Sequence, residues 1–136
     1  MYIDDWEHIF RQRPCAEGQT WLNTQPDMVT AWTNCVRGDW MWWLLSNVPT
    51  YNLTKETAYS IVKFLNESRK VPSFRLNEAL RQIKYTGDLN QIQYWVSIAL
   101  RVSYYDGEDT NMLKVHSDLL RKLIDIAEIK KIDEQI

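Results

Sequence analysis

Ala58, Ile61, Val62 and Leu65 fall at i, i+3, i+4 and i+7, the spacing that puts four apolar side chains on one face of an α-helix. The same period recurs along the chain: Leu76, Ala79, Leu80 and Ile83, then Ile92, Trp95, Val96, Ala99 and Val102, then Met112, Val115, Leu119, Leu123 and Ile126. Period-two alternation is missing between these runs, and four glycines and four prolines supply little turn chemistry for a many-stranded protein. The expected fold class is therefore all-α, with about eight helices in a single globular domain over residues 1–136.

The punctuation between the apolar runs sets the helix boundaries. A first helix is expected over Asp4–Arg11, with Trp6, Ile9 and Phe10 inward, and a second from Pro14 to about Leu22. In "TQPD", Thr24 can cap a third helix, with Asp27 three residues on as in a capping box. That helix carries Met28, Ala31, Trp32 and Cys35, and Gly38 is expected to end it in the left-handed conformation. Asp39 then stands as the N-cap of an apolar helix from Trp40 to about Asn47, which makes "RGDW" a helix–turn–helix junction rather than an extracellular adhesion motif. Thr54, Ser73 and Asp88 cap the next three helices, ending near Ser68, Gly87 and Tyr105. A last helix starts near Thr110, and its charged tail "EIKKIDEQI" is expected to fray. Four short helices holding most of the tryptophans should thus pack on a four-helix body.

The aromatic density of "CVRGDWMWWLLSN" admits two readings, a core helix and a binding face. Trp32, Trp40, Trp43 and Leu44 sit in apolar stripes and are assigned to the core. Trp42 lies off the Trp40–Trp43 face, and Trp6 lies in the short first helix, so these two are the better binding anchors.

A net charge of −2 gives no global case for nucleic acid or membrane binding, but the charge is polarised. Residues 1–53 carry a net of −3. Lys63, Arg69, Lys70, Arg75, Arg81 and Lys84 stand against Glu67 and Glu78, a net of +4. Arg69, Lys70 and Arg75 also flank the start of the Ser73 helix, where backbone N–H groups favour an anion. This basic edge reads either as a phosphate or acidic-protein site or as a solvated face.

Two stretches, "CAEGQTWL" and "AWTNCVRGDWMWWLL", resemble the N-terminal signature of small phage- and bacterium-encoded immunity-type proteins: a Cys and a Trp, then Ala-Trp, a Cys, and Arg-Gly-Asp-Trp leading into a Trp-Leu helix. "RKVPSFRLNEALRQI" is similar to that group's middle segment, and "HSDLLRKLI" to its closing helix, so the likeness covers most of the chain. The middle departs from the group in carrying bulkier residues where alanine-rich helices are usual. The resemblance implies an all-helical fold and a setting in phages or mobile elements, and it carries no catalytic residue.

The residues themselves point away from catalysis. Cys15 and Cys35 have only His8 and His116 as histidine partners, at spacings that match neither a nucleophile–base signature nor the close pairs of structural zinc sites. Asp4/Asp5 and Glu108/Asp109 stand at helix starts, where acids favour the dipole. No Gly-rich phosphate loop is present. No cofactor or metal is expected. The start "MYIDDWEHIF" lacks a signal peptide's pattern, and "WMWWLL" is far short of a membrane span, so a cytoplasmic protein with reduced thiols is expected. The expected function is a non-enzymatic protein-binding accessory protein of a phage or mobile element. It would inhibit a host defence system in the anti-CRISPR manner or act as an immunity protein. The alternative is a nucleic-acid or phosphate-binding protein that uses the basic edge from Lys63 to Lys84.

Overall fold

A computed structural model describes residues 10–49, 51–71, 73–106 and 111–135. Eight helices run through these residues: α1 (Ala16–Asn23), α2 (Met28–Asn34), α3 (Gly38–Asn47), α4 (Lys55–Glu67), α5 (Phe74–Tyr85), α6 (Leu89–Asp106), α7 (Met112–Leu123) and α8 (Ile126–Asp133). The architecture is all-α, and no strand occurs among the described residues.

The caps explain most of the boundaries. Thr54 Oγ1 accepts the Thr57 amide at 3.1 Å, Ser73 Oγ the Leu76 amide at 3.3 Å, and Asp125 Oδ1 the Ala127 amide at 2.9 Å. At α2 the cap is Asp27, whose Oδ1 accepts the Thr30 amide at 2.7 Å; this backbone bond holds the Asp27 carboxyl below its usual range. Thr24, expected to start α2, instead closes α1, where its hydroxyl donates to the Trp21 carbonyl. The main-chain turn at Gln25 puts Asp27 rather than Thr24 next to the first free amides of α2.

Helices α4, α5 and α6 pack mutually and bury the expected stripes, with Ala58, Ile61, Val62, Leu76, Ala79, Ile83, Val96 and Ala99 fully enclosed. Helix α7 lies against α3, and α8 lies against α2. This last pairing corrects the expected fraying tail. Asp125 restarts the helix after the extended residue Ile124, and Ile129 and Ile132 are buried three residues apart. The expected first helix, Asp4–Arg11, lies outside the described residues except for Phe10 and Arg11, which are not helical. The Arg11 amide bonds the carbonyl of Asn47, which ties this segment to the end of α3. No helix among the described residues is long and apolar enough to cross a membrane.

Helix α2 has only seven residues, too few to be stable alone. Side chains from distant helices hold it at both ends. The Asp133 carboxylate on α8 accepts the amides of Met28 and Val29 at 2.8 and 3.0 Å. At the other end, Arg121 on α7 donates to the carbonyls of Trp32 and Cys35 and is steadied by Ser117 and Asp118. A carboxylate at the N-terminus and a guanidinium at the C-terminus both match the helix dipole.

Candidate functional site

Helices α1, α2 and α3 surround a cavity of about 260 Å3 whose walls are largely apolar. Trp21, Trp32, Trp40 and Trp43 form much of its lining, with Met28 and Leu44 between them. Trp32 and Leu44 are buried, whereas Trp40 and Trp43 are half-buried and pack on the core from its edge. Trp21 and Trp40 lie 5.8 Å apart between ring centroids, and Phe10 meets Trp43 edge-on at 5.0 Å. The tryptophan density of the first 50 residues thus produces a lined concavity as well as a core.

The polar rim is built by Arg37 and Asp39. The Arg37 guanidinium lies 4.5 Å over the Trp40 ring and pairs with Asp39 through two bonds, Nε–Oδ1 at 3.0 Å and Nη2–Oδ2 at 2.8 Å. This pairing raises the Arg37 pKa. Asp39 is therefore not the N-cap expected from the sequence. Helix α3 begins two residues earlier, at Gly38, with Arg37 in the cap position and no side-chain capping bond. Asp39 stays in the first turn, where its charge suits the dipole, but its oxygens face the Arg37 fork.

Gly38 also differs from expectation. No described glycine takes a positive φ, so Gly38 is no left-handed helix stop. It is needed for close approach: a Cβ there would stand 2.3 Å from the Cβ of His116 and 2.9 Å from the main chain of His116 and Ser117. Helix α3 crosses α7 at this point. His116 is buried beneath the crossing, its Nε2 at 3.0 Å from the Ser103 hydroxyl, and burial holds its pKa down at about 4. The imidazole is a neutral core group at pH 7.

Among the described residues neither thiol is hydrogen-bonded to a base. Cys15 is the exposed N-cap of α1, its sulfur accepting the Gly18 amide at 3.4 Å. Cys35 is buried, and desolvation raises its pKa, which disfavours the thiolate. Among the described residues no three His, Cys, Asp or Glu side chains gather as metal ligands. His8, Asp4, Asp5, Glu108 and Asp109 lie outside the described residues, as does Trp6.

A second concave region lies on the solvent side of α6. Phe74, Arg75, Glu78, Trp95, Ile98 and Arg101 border a groove of about 410 Å3 between α5 and α6. A neighbouring groove of about 400 Å3 is bordered by Arg37, Asp39, Trp42, Ser97, Arg101 and Tyr104. Arg101 and Tyr105 belong to both. Phe74 is 85% exposed and Tyr105 75%, high values for large apolar rings. Tyr94 meets Trp95 edge-on at 5.4 Å, and Tyr104 meets Tyr105 at 5.1 Å. The sequence reading missed this face, because Tyr94, Arg101, Tyr104 and Tyr105 fall on the outward side of the α6 stripe. A run of aromatic residues on a helix face that should be polar was the available signal.

Of the residues named from sequence as partner-binding, Trp42 and Arg75 border these two grooves. Trp42 is half-buried and donates its indole N–H to Ser97 Oγ at 2.8 Å, so its polar edge is already satisfied. Several side chains of the basic edge are engaged locally. Arg81 grips Glu78 through two bonds of 3.1 and 2.6 Å, which holds the Glu78 carboxyl down at about 2. Lys63 lies 3.9 Å from Glu67, Arg69 Nε donates to the Val71 carbonyl at 3.4 Å, and Lys70 is exposed. No family model, curated protein or solved structure matches the chain.

Proposed function

We propose that this chain is a non-enzymatic, cytoplasmic protein-binding module, an accessory protein of a phage or mobile element that inhibits or protects a host machine. The docking face is the outward side of α6 with the start of α5. The observation that carries this reading is the placement of Phe74, Trp95, Tyr104 and Tyr105 around Arg101. Aromatic residues and arginine are the side chains enriched at protein interfaces and their hot spots. Because Glu78 is held by Arg81, Arg75 and Arg101 leave the α5–α6 groove electropositive. The partner is therefore a segment that offers apolar side chains to the groove and a carboxylate to Arg101. The resemblance of "CAEGQTWL" and "AWTNCVRGDWMWWLL" to phage-encoded immunity-type proteins supports the biological setting.

The test is affinity purification from the encoding host, followed by mass spectrometry, with the parent chain and with Arg101→Glu and Tyr105→Ala variants whose helicity is checked by circular dichroism. A prey protein retained by the parent and lost in both folded variants is the expected result. An unchanged prey list would remove the α6 face from the function. A sub-micromolar duplex DNA complex, weakening with salt at a log–log slope of about −3 and lost when Arg69, Lys70 and Arg75 become Gln, would replace this reading with the nucleic-acid one.

A further inference from the structure

The cavity among α1, α2 and α3 shares its rim residues Arg37 and Asp39 with a groove beside α6, but its apolar walls are its own, and one of its wall residues has no packing explanation. Gly18 occupies the third position of α1, is buried, and lines the cavity. Glycine weakens a helix relative to alanine. At Gly38 a close backbone crossing demands it, but at Gly18 nothing does. A Cβ built there would lie 3.5 Å from Cys15 Sγ, 3.6 Å from Pro14 Cβ and 3.9 Å from Trp40 Cε2, all ordinary contacts. Its φ is not positive. What the missing side chain leaves is open volume beside the Trp40 ring.

We propose that this cavity is a binding site for a small, uncharged, planar aromatic molecule of about two fused rings, and that Gly18 keeps it open. Small-molecule sites are concave, mostly apolar and carry a few polar groups, and this concavity of about 260 Å3, with its tryptophan walls and Arg37–Asp39 rim, has that character. A void of about 150 Å3 lined by aliphatic and aromatic side chains admits benzene, which scales to a two-ring compound here. The walls offer the faces and edges of Trp21, Trp40 and Trp43, against which aromatic rings stack offset or edge-on. The rim offers no free cation to an anionic ligand, because Arg37 is paired with Asp39 and lies 3.6 Å from Glu17. Asp39 remains able to accept one N–H or O–H from the bound molecule. Gly18 lines only the cavity and Arg101 and Tyr105 only the α6 grooves, so variants at these positions test the two sites separately.

The experiment uses 2-naphthol as probe, with 2-naphthoate as its charged counterpart, on the full chain by isothermal titration calorimetry. The expected result is one saturable site with a Kd below about 100 μM for 2-naphthol and at least about tenfold weaker binding of 2-naphthoate. Saturating 2-naphthol also slows alkylation of Cys15, which borders the cavity and is otherwise exposed. Gly18→Ala raises Tm by about 2–4 °C, since its backbone suits alanine, while weakening 2-naphthol about tenfold. Gly18→Leu fills the cavity and removes binding. Absence of saturable binding up to about 1 mM overturns the proposal. Unchanged affinity in a folded Gly18→Leu variant does so too, and if that variant does not fold, unchanged affinity in Gly18→Ala is decisive. Tighter capture of N-acetyltryptophanamide than of 2-naphthol would make the occupant a partner protein's side chain and also overturn it.

Discussion

The Asp133 carboxylate accepts the main-chain N–H of Met28 at 2.8 Å, across 105 residues of sequence. Its second oxygen takes the Val29 amide, while Asp27 takes that of Thr30. Three of the first amides of α2 are thereby satisfied by two carboxylates, one local and one from α8. Asp133→Ala should destabilise the protein by about 1–2 kcal/mol in urea denaturation, within the range of a lost cap. Asp133→Asn should lose less, because an amide oxygen still accepts one bond. Equal loss from both substitutions would mean that the charge, not the hydrogen bonds, matters.

Gly38→Ala should be far more harmful than a surface glycine substitution. The added methyl would meet His116 Cβ and the main chain of α7, which cannot move aside as a flexible side-chain end could. A loss of about 3 kcal/mol or more is expected, measured as a drop in denaturation midpoint with unchanged m-value. Gly87→Ala has no neighbour within 4 Å and serves as the tolerated control.

Burial of His116 gives the protein an acid-sensitive stability. Its pKa falls from 6.5 to about 4 on folding, opposed only weakly by the Asp39 charge. Between those values the unfolded chain binds a proton that the folded chain refuses, so stability falls as pH drops from 6.5 towards 4 and the effect is complete below 4. The full span is about 3 kcal/mol by linkage. His116→Gln should flatten the stability profile over that window. An identical slope in the variant would assign the effect to other groups.

For Asp39 the pairing with Arg37 predicts a different pattern from capping. The pair is partly exposed, so Asp39→Ala should cost less than about 1 kcal/mol, and Asp39→Asn should not restore the loss, because the guanidinium fork loses a charged partner. The deficit should shrink between about 0.1 M and about 1 M salt. A cap would instead be restored by Asn at either salt.

The helix stripes were legible because their period depends only on which face is buried, as Ala58 through Leu65 and Leu76 through Ile83 illustrate. Caps with a single candidate, such as Thr54 and Ser73, were legible for the same local reason. Two junctions were not: the turn at Gln25 gave the cap of α2 to Asp27 rather than Thr24, and Gly38 is required by its contact with His116, far along the chain. Leu119 and Leu123 gave no sign of the break at Ile124, where Asp125 caps a new helix that packs against α2. Trp32, Trp40 and Trp43 read as core, since periodicity reports an inward face but not whether that face borders a concavity. The α6 face was legible only in its outward tyrosines, because the inward stripe fixes which side is buried and says nothing of what the opposite side binds.

The two-ended hold on α2 bears on how the protein is made. At about 5–20 residues per second, roughly 5 to 20 s separate the synthesis of Met28 from that of Asp133. Throughout that interval the amides at the start of α2 lack their distant acceptor, and the tryptophan-rich N-terminal third lacks the helix that covers it. The nascent chain thus presents the Trp32 ring, and the α2 face that α8 later covers, to its surroundings for seconds before they can be enclosed, a window in which chaperones that recognise aromatic surface would act.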